Sequence, residues 1–130
     1  MTKKVYISGP MTGHKDFNAA RFDLTEGMLA AQNCEVINPL QKERDSGVNF
    51  YGRTGKESLS EMGIDLTMNQ IITQDVELLL TCDVIYMLPG WRSSKGATAE
   101  YYVALWAGID IWGNVTHRYS EQTCQSLQSS

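Results

Sequence analysis

Asp83-Val-Ile-Tyr-Met-Leu-Pro-Gly-Trp-Arg-Ser-Ser-Lys-Gly-Ala-Thr-Ala-Glu100 is the stretch that decides the fold class of this 130-residue chain. Val84, Ile85, Tyr86, Met87 and Leu88 form an apolar run of strand type, and Pro89-Gly90 ends it. A polar loop with Arg92, Ser93, Ser94, Lys95 and Gly96 follows, and helix-forming sequence then resumes with Glu100 in or near the first turn. A strand, a glycine-containing loop and a helix start are how an α/β protein presents backbone N–H groups and one chosen side chain to a ligand.

The flanks repeat this alternation. Upstream, between Leu66 and Thr81, Ile72, Val76, Leu79 and Leu80 fall on one helix face, with Asp75 beside it. Downstream, Ala99, Val103, Trp106 and Ala107 recur at helical spacing, Gly108 ends the helix, and Ile109–Trp112 is a fourth strand. At the N-terminus, Lys3–Ser8 is a first strand closed by Gly9-Pro10, with Met11-Thr12-Gly13 continuing the loop. Phe17, Ala20, Leu24, Met28 and Ala31 mark a helix face, Asn33 a stop, and Glu35–Asn38 a second strand closed by Pro39. Residues 41–63 are charged, carry Gly47, Gly52 and Gly55, and read as a long polar loop, either a lid or a solvated excursion.

Four β-prone runs alternating with three helices predict a three-layer α/β fold with a mainly parallel sheet, a single domain over residues 1–113 and a polar tail over 114–130. Ligands of such sheets sit outside the carboxyl ends of the strands. Those ends are Ser8-Gly9-Pro10, Asn38-Pro39 and Leu88-Pro89-Gly90, which brings the loops with special residues to one edge.

Composition narrows the partners. An apolar fraction of 42% and a charged fraction of 20% are ordinary for a soluble globular domain, and a net charge of −4 argues against a nucleic-acid polymer. Cys34, Cys82 and Cys124 are odd in number and lack CxxC spacing, which suits reduced thiols. Met1-Thr-Lys-Lys leads into a strand instead of a signal sequence, and no apolar run approaches the roughly 18 residues of a membrane span. The expectation is a cytoplasmic protein without a membrane partner. Gly9 to Lys15 misses P-loop spacing, neither glycine loop reads GxGxxG, and His14 and His117 are isolated. No metal and no cofactor are expected.

Glu100 carries the chemistry. A carboxylate near a helix start can be held ionised by the helix dipole while loop amides bind an anion beside it; the plain alternative is an acid that only stabilises the helix. Tyr6 and Asp75, polar residues on or beside apolar elements at the same sheet edge, favour the first reading. A carboxylate nucleophile oriented by a tyrosine hydroxyl, with a second acid across the pocket, is a workable set for glycosidic chemistry.

Three segments carry a family resemblance: Tyr6-Ile-Ser-Gly9-Pro-Met-Thr-Gly13, Asp75 with Asp83 eight positions later, and Leu88-Pro-Gly-Trp-Arg-Ser-Ser-Lys-Gly-Ala-Thr-Ala-Glu100. In this order and spacing, over about residues 4–112, the chain resembles the nucleoside 2-deoxyribosyltransferase superfamily. The likeness extends to its 2′-deoxynucleoside 5′-monophosphate N-glycosidase branch and to short phage and bacterial relatives that begin ISGPMTG. It implies a flavodoxin/Rossmann-like fold, Glu100 as the nucleophile on the sugar C1′, Tyr6 orienting it, and Asp75 positioning or protonating the departing base. Ser94 matches a phosphate-binding serine of the monophosphate hydrolases, flanked by Arg92, Lys95 and Gly96, and the loop at Ser8, Gly9 and Pro10 adds substrate contacts. Trp91 either stacks on a base or caps the core.

Two departures bear on activity. Pro10, Met11 and Thr12 lack the basic residue of the hydrolase branch, which shifts part of a phosphate clamp to His14, Lys15 or the 41–63 loop. The tail after Gly113 does not match the segment that completes a neighbour's site in the transferases. The resemblance therefore implies cleavage of a (deoxy)nucleoside 5′-monophosphate ahead of transfer between bases. A 2-deoxyribosyltransferase and a non-catalytic nucleotide-binding module are the alternatives, and a homo-oligomer is implied.

Overall fold

A computed structural model describes residues 2–11, 14–45 and 67–115. Thr12, Gly13, residues 46–63 of the polar loop, and His117 and Cys124 of the tail lie outside the described residues. The elements run β1 (Lys4–Ser8), α1 (Ala19–Ala31), β2 (Glu35–Ile37), α2 (Pro39–Asp45), α3 (Met68–Leu80), β3 (Val84–Met87), α4 (Lys95–Ala107) and β4 (Asp110–Gly113). Short 3-10 turns precede α1 (Lys15–Asn18) and α4 (Trp91–Ser93).

The four strands form an all-parallel sheet in the order β2-β1-β3-β4. Parallel strands need crossovers, and crossovers are right-handed. The chain moves one way from β1 to β2 and the other way from β2 to β3 and on to β4, so α1 packs on one face and α3 and α4 on the other. The two cores follow the pleat. Val5 and Ile7 of β1 cluster with Phe22, Leu29, Leu40 and Val84, whereas Tyr6 clusters with Leu79, Ile85, Met87, Trp91, Tyr101 and Ala104. The sheet order reverses at β1, which puts the topological switch point between the carboxyl ends of β1 and β3.

Local signals set the helix ends. Asn33 at φ 63 closes α1, with Asn33 N–H bonded to Ala30 O and Cys34 N–H to Leu29 O; Gly108 at φ 78 closes α4 in the same way. Thr67 and Gln70 form a reciprocal capping box at the start of α3. One boundary differs from expectation. Residues 41–45 are helical, because Asn38 caps α2 by accepting from Leu40 N–H at 3.0 Å and Pro39 takes the first helical position, where its missing N–H costs nothing.

The helix faces also differ from their apolar stripes. In α1 the buried positions are Phe22, Thr25 and Leu29, while Leu24 is 69% and Met28 41% exposed; Phe17 is buried, but from the 3-10 turn. In α4 the buried positions are Ala97, Tyr101 and Ala104, and Trp106 is 92% exposed. In α3 Leu79 is buried, whereas Ile72 and Leu80 are exposed. These helices are apolar on more than one side, so periodicity alone does not choose the buried one. In α4 the small side chains Ala97 and Ala104 meet the sheet, where they let the helix lie close.

Two glycines make close approaches that fix the edge of the sheet. A Cβ at Gly9 would lie 2.6 Å from Leu88 Cβ, and one at Gly113, which sits at φ 93, would lie 2.5 Å from Met87 O. Gly113→Ala therefore combines backbone strain with a clash against main chain. It is expected to lower stability by about 2–4 kcal/mol, read as a lower urea midpoint at unchanged slope; a midpoint equal to wild type would contradict this role.

Candidate active site

Alternation along β1 puts Lys4, Tyr6 and Ser8 on the face that α3 and α4 cover. Tyr6 is fully buried and Ser8 nearly so. Both hydroxyls converge on one carboxylate from α4: Tyr6 OH donates to Glu100 Oε2 at 2.6 Å, and Ser8 Oγ donates to Glu100 Oε1 at 2.6 Å. These are short, charge-assisted bonds that fix both oxygens of a half-buried carboxylate.

Glu100 is the sixth residue of α4 and stands in its second turn, not its first. The helix dipole acts mainly within the first turn. The two hydroxyls from β1, not the helix start, are what hold this carboxylate. Ser8, expected among the substrate contacts, is directed to Glu100 instead.

Asp75 is half-buried on α3, one turn from Leu79, which packs in the same cluster as Tyr6. The Tyr6 hydroxyl is held well above its ordinary pKa, first by burial, then by the Glu100 charge, then by the Asp75 charge. Two carboxylates thus act on one neutral phenol that stays a donor.

The first turn of α4 collects the other expected residues. Ser94 caps the helix, its Oγ accepting from Ala97 N–H at 3.2 Å, and Arg92, Lys95 and Gly96 are exposed around it. The N–H groups of the first turn have no intrahelical carbonyl to bond, and a helix start of this kind suits an anion. Ser94 and Glu100 are about 9 Å apart along the axis at the standard rise.

Other expected residues are structural. Trp91 is 4% exposed, stacks on Tyr101 at 4.5 Å, donates Nε1–H to Asn114 O at 2.8 Å, and has the Arg92 guanidinium 4.6 Å over its ring. It caps the core, with almost no surface left for a base. Gly9 and Pro10 are buried; Pro10 O accepts from Asn18 Nδ2 at 3.0 Å, and a Cβ at Gly90 would lie 3.6 Å from Pro10. The β1 and β3 loops therefore meet, as their sequence positions imply. Of the residues offered for a phosphate clamp, His14 is exposed.

Two residues of the site were not singled out as such. Met68, Ile72, Asp75 and Leu79, at steps of four, three and four, share one face of α3. Along that face burial falls from Leu79, fully buried, through Asp75 to Ile72 at 51% and Met68 at 56% exposure. The helix runs antiparallel to the strands, since its end leads into Asp83, which pairs with Lys4 at the start of β1. Its first turns therefore lie toward the carboxyl edge of the sheet, with the exposed side chains of Ile72 and Met68 on the same helix face as Asp75. The signal was in the heptad spacing through Asp75, hidden because these side chains read as core.

Among the described residues no cluster of three His, Cys, Asp or Glu could hold a metal ion, and no helix is long and apolar enough to cross a membrane. Cys34 and Cys82 are free thiols. Residues 3–112 match the model of a family described as Domain of unknown function (DUF4406). No curated protein matches the chain.

Proposed function

The chain belongs to that family of unknown function, so its chemistry is argued from the site, and we propose that it is an N-glycosidase acting on a (deoxy)nucleoside 5′-monophosphate. The observation that carries this reading is the carboxylate of Glu100 gripped by two buried hydroxyls at the switch point of a parallel sheet. An acid that served only the helix would not need both.

In the proposed reaction one Glu100 oxygen attacks C1′ as the C–N bond breaks and its electron pair leaves with the base. The charge developing at C1′ is met by the carboxylate, while Tyr6 and Ser8 keep that carboxylate in place. Asp75 positions the base or passes it a proton. Water then opens the glycosyl ester, returning Glu100 and releasing the sugar phosphate. Ser94, the amides of Lys95 and Gly96, and the Arg92 and Lys95 side chains hold the 5′-phosphate, and Ile72 and Met68 lie against the base.

Screening nucleoside monophosphates for free base by chromatography tests this reading. Monophosphates are expected to react faster than the parent nucleosides by about 10²-fold in kcat/KM, the scale of losing charge-assisted contacts to one group. Equal rates on both would refute the phosphate site, and release of no base from any nucleotide would refute the enzyme.

A further inference from the structure

Ser8 is 1% exposed at the end of β1, and its backbone is fixed to the neighbouring strand's loop, where Leu88 N–H donates to Ser8 O at 2.8 Å. A buried hydroxyl needs a partner, and alanine would fill the same place without that need. The Ser8 hydroxyl goes to Glu100 Oε1 at 2.6 Å, although Tyr6 already fixes the carboxylate through Oε2 at 2.6 Å. A second donor on the other oxygen adds little orientation. It changes how that oxygen reacts.

Strands rise about 3.3 Å per residue, so Ser8 stands two residues, roughly 6–7 Å, beyond Tyr6 toward the carboxyl edge where ligands of parallel sheets sit. We propose that Oε1, the oxygen held by the residue nearer that edge, forms the bond to C1′, and that the Ser8 hydroxyl speeds the breakdown of the resulting ester. This role rests on the glycosidase reading of the site and says which half of that reaction Ser8 serves.

In the first half an electron pair of Oε1 forms the bond to C1′, while the pair of the C–N bond leaves with the base, which takes up a proton. Oε1 thereby turns from a carboxylate oxygen into the singly bonded oxygen of an ester, a poor acceptor. The charge-assisted bond from Ser8 is lost at that point. In the second half the Oε1–C1′ bond breaks, its pair returns to Oε1, and water adds to C1′ with release of a proton. Both transition states are oxocarbenium-like, with the Oε1–C1′ bond largely open and the charge still on Oε1. They keep the Ser8 bond, as the free enzyme does, and the ester alone lacks it. Ser8 therefore leaves the first barrier nearly unchanged and lowers the second.

The two halves are separated with a 2-deoxy-2-fluoro-arabinofuranosyl 5-phosphate bearing a 4-nitrophenolate leaving group, a probe for which the identity of the base is immaterial. Nitrophenolate release reports formation of the adduct, and intact mass after removal of excess probe reports its decay. Ser8→Ala is expected to form the adduct at nearly the wild-type rate and to lose it roughly 10- to 100-fold more slowly, the scale of one charge-assisted hydrogen bond. Ser8→Cys, of similar size and a weak donor, is expected to fall between the two, and it carries the same comparison should the alanine variant not fold. Decay at the wild-type rate in the Ser8 variants would overturn the proposal and leave the glycosidase standing. So would formation and decay slowed by one common factor, which is what a merely structural serine would give. Release of base from a monophosphate without any adduct would remove the ester, and this role with it, but not the hydrolysis. Neither adduct nor base from wild type would remove both.

Discussion

Glu100→Gln is expected to abolish base release, with kcat falling by about 10⁴-fold or more, as for loss of a nucleophile, while nucleotide affinity measured by calorimetry changes only a few-fold. The reasoning is geometric. Glutamine keeps the size of the side chain and can still bond to the hydroxyls of Tyr6 and Ser8, so the surroundings of position 100 keep their shape. What it lacks is the negative oxygen that the proposed reaction requires for the ester with C1′. The first turn of α4, five to six residues earlier, is untouched, and so is the phosphate grip proposed for it. A wild-type enzyme given a slow 2-fluoro sugar analogue should also carry a sugar-phosphate adduct, absent in the variant. Turnover within tenfold of wild type would remove Glu100 from the mechanism, and binding lost together with turnover would make it a substrate contact instead.

The architecture was legible in the sequence because its signals are local. Strands short enough to end at Gly9-Pro10, Pro39 and Pro89-Gly90, with helical spacing between them, force a parallel sheet and fix which edge the loops share. Tyr6 and Glu100 were legible as residues, and the period of two along β1 puts Ser8 beside Tyr6. That Ser8 bonds to Glu100 was not legible, since the contact joins residues 92 positions apart and depends on how α4 lies across β1. The buried helix faces are not legible for a different reason. Leu24, Trp106 and Ile72 are apolar and correctly spaced, but burial is decided by where the sheet ends and which side the small residues Ala97 and Ala104 leave close to it.

Tyr6→Phe separates positioning from chemistry at the same carboxylate. The ring stays in a fully buried slot, and only the hydroxyl on Glu100 Oε2 is lost. Kcat is expected to fall by about 10²-fold, the usual scale for one preorganised donor, with KM little changed. Ser8→Ala removes the matching bond on Oε1, and the double variant is expected to depart from additivity, since the two hydroxyls hold one group. A second readout is independent of turnover. Burial first, then the charge of Glu100, then that of Asp75, raises the Tyr6 pKa, so the folded protein keeps this proton at a pH where an unfolded tyrosine, of pKa about 10, has lost it. The stability tied to this group is therefore complete below about pH 10 and declines as pH rises beyond it. Tyr6→Phe has no proton to lose there, so wild type and variant should converge or cross in melting temperature on the alkaline limb. A stability difference that stays flat across that limb, together with unchanged kcat, would show that the phenol neither bears the two carboxylate charges nor orients Glu100.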